Sequence, residues 1–172
     1  MKYDVFISYS RKDQIIVDEI CKLFDDNSIS YWLDTNKIHF GSEFMADIVD
    51  AIEESTITLF ISSSSSNKSI YTAKEVALAF NAGKYIIPYK IDNSSFNKNL
   101  RFVMTNLNCI EAVPYTTQKA KKLVSDIKSL LHGENIEKIK YVEKREYIDI
   151  LKWDEPHNTF LNFLKKFFED KQ

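Results

Sequence analysis

Two residues one helical turn apart carry the clearest chemical promise in this sequence. Tyr71 and Glu75 stand four positions apart, which sets a ring and a carboxylate on one face of a helix that spans them. A carboxylate can face developing positive charge, and a tyrosine ring can stack on another flat ring. Arg11, in the polar run Ser10-Arg11-Lys12-Asp13, carries a guanidinium whose fork pairs with phosphate oxygens; it reads equally as a solvated loop charge. The neighbourhood of Glu75 also admits a purely structural use. Thr72-Ala73-Lys74-Glu75 has the spacing of a capping box, and taken alone that is the better reading. His39, His132 and His157 are too scattered to suggest a metal site. Cys21 and Cys109 lie far apart in apolar contexts, as buried free thiols do, which places the chain in a reducing cytoplasm.

The elements that must position these residues follow from apolar periodicity. Tyr3–Tyr9 reads as a β-strand. Asp13 then caps a helix with Ile16, Ile20, Leu23 and Phe24 on one face. Ile29–Leu33 is a second strand, and the loop from Asp34 to Gly41 leads to Ser42, which caps a helix carrying Met45, Ile48, Val49 and Ile52 on one side. Thr56–Ile61 is a third strand, followed by a polar loop, Ser62–Ser69, whose serine run Ser62–Ser66 reads as flexible. A helix from about Ile70 to Ala82 ends at Gly83, a good C′ residue. Tyr85–Ile91 is a fourth strand, although Pro88 suits an edge or a bulge. Leu100–Leu107 has no clear pattern; a short strand, Cys109–Val113, and a helix, Lys119–Leu131, follow.

Strands alternating with helices specify an α/β fold, and near-continuous apolar strands fit a parallel sheet with helices on both faces. Right-handed crossovers make a flavodoxin-like five-stranded sheet of order 2-1-3-4-5 the leading topology. In such sheets ligands bind beyond the carboxyl ends of the strands, at the point where the order reverses. That point lies between strands 1 and 3, so the loops Ser8–Asp13 and Ser62–Ser69 meet there, with Asp34–Gly41 on the same rim. A phosphoacceptor receiver would need acidic residues after strand 1 and an aspartate ending strand 3; Ser8-Tyr9-Ser10 and Ser62-Ser63 stand there instead. No glycine-rich loop follows strand 1, so a Rossmann dinucleotide mode is set aside.

The bulk numbers agree with one globular domain and an appendage. The chain has 172 residues, 44% hydrophobic and 28% charged, enough to bury a core without staples. Net charge is −2 with no basic stripe, so neither nucleic acid nor an anionic membrane is expected as partner. No apolar run reaches membrane-spanning length, and the start, MKYDVFISYS, enters a strand with no targeting pattern. Residues 1–132 form the expected domain. Residues 133–172 are a charged C-terminal appendage ending in an amphipathic helix with Phe160, Phe163, Leu164, Phe167 and Phe168 on one face.

The order of these pieces resembles a TIR (Toll/interleukin-1 receptor) domain. Asp4-Val5-Phe6-Ile7-Ser8-Tyr9-Ser10-Arg11-Lys12-Asp13 looks like the opening box, and Trp32-Leu33-Asp34 with Gly41 like the second box and its loop. Ser69-Ile70-Tyr71-Thr72-Ala73-Lys74-Glu75 resembles the S-x-W-x-x-x-E segment of NAD-cleaving bacterial members, with Tyr71 in place of the tryptophan. The likeness spans about residues 1–131. It implies an NAD glycohydrolase or cyclase with Glu75 catalytic, yielding ADP-ribose or a cyclic isomer as a signal in antiphage defence. It further implies substrate binding by Tyr9, Arg11, Asp34, Gly41 and Tyr71, NAD as substrate with no cofactor and no metal, and an effector protein sensing the product. Self-association through the loop bearing Ile38 and Phe40 belongs to the same expectation. On bland readings, Tyr9 is core edge, Asp34 a turn former, and Ile38 and Phe40 fold back on the domain. Two alternatives stand beside the enzyme: a non-enzymatic TIR–TIR adaptor module, and a nucleoside 2-deoxyribosyltransferase-like enzyme.

Overall fold

The computed structural model describes residues 2–33, 42–105 and 107–133. The strands are β1 (Tyr3–Ser8), β2 (Tyr31–Leu33), β3 (Ser55–Ser62), β4 (Tyr85–Lys90) and β5 (Ile110–Glu111). The helices are α1 (Gln14–Asp26), α2 (Ser42–Glu54), α3 (Ile70–Asn81), α4 (Lys98–Met104) and α5 (Thr117–Leu131). All neighbouring strands pair in parallel, in the order β2-β1-β3-β4-β5. This is the expected flavodoxin-like sheet. The stretch from Leu100, which carried no clear sequence pattern, lies partly in α4, whose N-cap Asn97 accepts a side-chain hydrogen bond from the Leu100 amide.

The period of two along the strands divides the core into two layers. Val5, Ile7, Leu59 and Ile61 point to one face and pack with Val17, Ile20 and Phe24 of α1 and Leu123 and Ile127 of α5. Phe6 and Phe60 point to the other, against Ile48 and Ile52 of α2, Val76 and Ala79 of α3, and Leu100 and Val103 of α4. Helix α1 is rotated slightly from the expected face: Val17 and Cys21 are buried, whereas Ile16 and Leu23 pack at the margin. Trp32 on edge strand β2 stacks on Phe6 with ring centroids 5.1 Å apart.

Pro88 fits a paired strand for a geometric reason. The Ile91 amide donates to the Ser62 carbonyl on β3, so by alternation the amides of Tyr89 and Ile87 also face β3 and position 88 faces β5. Strand β5 pairs only with Tyr89 and Lys90, so the proline sacrifices no ladder hydrogen bond.

Candidate functional site

The carboxyl ends of β1 and β3 lie side by side, with Ser8 opposite Phe60 in register. Ser8 follows Phe6 by two and therefore points to the same face, the one covered by α3. Its side chain is fully buried, and its hydroxyl donates to Glu75 Oε2 at 2.6 Å. Glu75, half-buried on α3, is thus held over the end of β1 at the switch point.

Helix α3 starts differently from a T-x-x-E box. Its N-cap is Ser69, whose side chain accepts from the Thr72 amide. Thr72 lies inside the helix, and its hydroxyl donates to the carbonyls of Ser66 at 2.6 Å and Ser69 at 3.1 Å. The capping box is not formed, because Ser69 already occupies the cap; Glu75 is therefore not held there by capping. Gly83 ends α3 as expected, with φ of 64°.

The loop after β3, a serine run in sequence, is partly buried and hydrogen-bonded. Ser63, Ser66 and Asn67 are buried. The Ser63 hydroxyl accepts from the amides of Ser65 and Ser66, each at 3.1 Å, and donates to Asp13 Oδ2 at 2.6 Å. Asp92, after β4, accepts from the Ser64 amide at 2.7 Å and the Ser94 amide at 2.8 Å, and the Asn67 side chain donates to Ser94 Oγ. A serine tract reads as flexible only when its hydroxyls meet water; here they replace backbone partners.

Asp13 sits at the N-cap position of α1 but makes no capping hydrogen bond, because its carboxylate is committed to Ser63. Burial pushes its carboxyl above the ordinary aspartate range; the hydrogen bond from Ser63 opposes that shift without cancelling it, and the Asp92 charge adds to it. Asp92 moves the other way: burial raises it, but hydrogen bonds from Ser94 and Ser64 and the Lys90 charge outweigh that and hold it low.

The other expected site residues are distributed around this rim. Tyr9 follows Ile7 onto the α1 side, packs against that core layer, and donates its hydroxyl to Gln14 Oε1 at 2.7 Å. Arg11 is exposed and opens a 3-10 turn, Arg11–Asp13, capped by Ser10. Tyr71, one turn before Glu75, is 64% exposed. Asp34, Ile38, Phe40, Gly41 and the appendage beyond residue 133 lie outside the described residues, as do His39 and His157. Ser8 and Asn67 lay within the loops the sequence placed at the rim but were given no role, and Asp92 was missed. The alternation from Phe6 was the available signal for Ser8, and the place of β4 beside β3 was the signal for Asp92.

Among the described residues no cluster of His, Cys, Asp or Glu could hold a metal ion, and no helix is long and apolar enough to cross a membrane. Cys21 is buried and Cys109 half-buried, both free; burial pushes the Cys21 thiol up to about 11, away from a reactive thiolate. A cavity of about 270 Å³ lies between the start of β1 at Lys2 and Tyr3, Trp32, and Asp47, Asp50 and Glu54 of α2. It includes no residue of the switch-point loops, and the chemistry-bearing side chains stand elsewhere.

A five-stranded parallel α/β sheet with polar side chains gathered at the β1/β3 switch point defines a flavodoxin-like domain. The chain belongs to the TIR domain family, whose model matches residues 5–124. Among solved structures it is similar to the TIR domain of the Toll-related receptor TRR-2 from the lower metazoan Hydra magnipapillata. That match has 19% identity and a TM-score of 0.60, and covers 73% of this chain and 98% of the other. The TIR domains of the activated Roq1 resistosome match at 16% identity and a TM-score of 0.56, over 73% of this chain and 99% of theirs. The CMP N-glycosidase BcmB of Clostridium botulinum matches at 17% identity and a TM-score of 0.54, over 71% of this chain and 97% of its own. No curated protein was found similar in sequence.

Proposed function

We propose that this TIR domain cleaves the bond between nicotinamide and ribose in NAD, with Glu75 as the catalytic carboxylate. The observation that supports this most is the Glu75 carboxylate held at the switch point by the buried Ser8 hydroxyl. Nicotinamide leaves NAD as a neutral base, so no general acid is required, and one carboxylate does the work for which most glycosidases need two. It faces the cationic sugar that develops as the bond stretches. A charge pair near 4 Å in a partly dry site is worth ~4 kcal/mol, roughly a thousandfold in rate. Water then gives ADP-ribose; attack by an adenine nitrogen gives a cyclic product. In this reading Tyr71 stacks on a base and Arg11 pairs with the pyrophosphate. Tyr9, Asp34 and Gly41 complete the proposed substrate site, self-association through Ile38 and Phe40 controls it, and an effector protein reads the product in antiphage defence.

The test is direct. Purified chain at high concentration is incubated with NAD and the products are identified by mass spectrometry. Glu75→Ala should release nicotinamide at least ~10²-fold more slowly while keeping the wild-type circular dichroism, because Ser69 and not Glu75 caps α3; the buried Ser8 hydroxyl left without this acceptor should lower the unfolding midpoint without preventing folding. Near-normal cleavage by that variant would remove Glu75 from the mechanism. A wild-type protein that leaves NAD intact would favour the adaptor reading. The likeness to a protein named as a CMP N-glycosidase favours a second reading, cleavage of a nucleotide N-glycosidic bond, so CMP is offered in parallel, and base exchange on deoxynucleosides is followed with it.

A further inference from the structure

The geometry points to Ser8 as the positioning residue of the catalytic carboxylate, an inference that rests on the NAD-cleaving reading of Glu75. A glutamate on a helix has three side-chain torsions, and one that must face a developing charge loses rate for every orientation that points elsewhere. The helix backbone alone does not settle those torsions. Ser8 restrains them from a different element. It stands at the last position of β1, on the face shared with Phe6, and its fully buried hydroxyl donates to Glu75 Oε2 at 2.6 Å. A hydroxyl bonded to a carboxylate at that length is a charge-assisted hydrogen bond, stronger than a neutral one. Ser8 itself is pinned by pairing of β1 with β3, where it lies opposite Phe60. The carboxylate is thereby referenced to β1, which pairs on both sides within the sheet, and not only to its own helix.

The same observations exclude a different role. A serine hydroxyl beside a glutamate could be read as a nucleophile with its base. Ser8 is 0% exposed and lies beneath the carboxylate, so an electrophile reaches Glu75 without reaching Ser8 Oγ. The hydroxyl acts through Glu75 and does not touch substrate.

The experiment compares Ser8→Ala and Ser8→Cys with the wild type in nicotinamide release from NAD, and determines the crystal structure of each variant without substrate. Loss of one hydrogen bond to a charged group should lower kcat about tenfold or more in Ser8→Ala while KM stays within about twofold. Ser8→Cys, of nearly the same shape with a weaker donor, should fall between the two and serves if the alanine variant does not fold. In the Ser8→Ala crystal the Glu75 carboxylate should lose its single orientation. Full kcat in both variants, with Glu75 unmoved, would overturn the inference while leaving the NAD reading intact. So would a fall that follows only the fraction of folded protein. If the wild type leaves NAD untouched, that reading fails by itself, and the crystals still decide: a displaced Glu75 supports positioning by Ser8, and an unmoved one overturns it.

Discussion

Asp13 and Ser63 join the loop after β1 to the loop after β3 through a single 2.6 Å hydrogen bond, and the carboxyl involved is half-buried. Because burial raises its pKa in the folded protein, Asp13 binds its proton more tightly folded than unfolded. Its contribution therefore favours the fold below about pH 4 and is lost as pH rises through the folded value. Asp13→Asn keeps an oxygen that accepts from Ser63 and removes the charge. The variant should unfold at a higher urea concentration than wild type at pH 7, by less than about 1 kcal/mol given partial exposure, with the difference closing below about pH 4. A difference that is the same at both pH values would mean that ionisation is not its source. Glu75 was visible at this scale from the TIR-like segment and its place on the rim. The partner that holds it was not, because Ser8 and Glu75 are 67 positions apart.

At the scale of elements, two helices end in the same way with different residues. After α3, the Lys84 amide donates to Ala79 and the Gly83 amide to Phe80, with Gly83 at φ 64°. After α1, the Ile29 amide donates to Phe24 and the Ser28 amide to Asp25, with Ser28 at φ 56°. Both are Schellman closures, and Ile29 packs in the same core layer as Phe24. A side chain with a β-carbon pays in that left-handed conformation what glycine does not. Ser28→Gly should therefore stabilise the protein by about 1 kcal/mol, a rise of about 2–4 °C in Tm by calorimetry. An unchanged or lower Tm would show that the strain is already relieved locally. The Gly83 ending was legible because glycine signals it. The Ser28 ending was not, and the second strand was expected to begin at Ile29, whereas Ile29 still belongs to the closure and β2 begins at Tyr31.

For the whole molecule, the open question is whether one copy is sufficient. The sequence places Ile38 and Phe40 in an otherwise polar rim connection, and apolar side chains at a surface often have a partner to bury them. If copies complete one another's site, specific activity should rise with protein concentration, and Phe40→Ala should flatten that rise without altering the unfolding midpoint. Constant specific activity from dilute to concentrated protein, unchanged in Phe40→Ala, would mean a lone subunit is sufficient. Sedimentation at matched concentrations checks that the rise accompanies association.

The sequence by itself determined the sheet and its order, because burial on both faces demands apolar strands and each crossover demands an amphipathic helix; Ile57–Ile61 and the Leu123/Ile127 spacing carry that information locally. It also located the rim, since strand order alone puts the switch point between β1 and β3. Only the tertiary structure decided what the polar residues there do. Thr72 was free to cap a helix until Ser69 proved to occupy the cap, and Asp13 to cap α1 until Ser63 engaged its carboxylate. Nothing local to Ser63 told that its hydroxyl bonds two amides and an aspartate. Hydrophobic periodicity is written in neighbouring residues, whereas a hydrogen bond such as Ser8 to Glu75 exists only once the sheet brings distant segments within 2.6 Å.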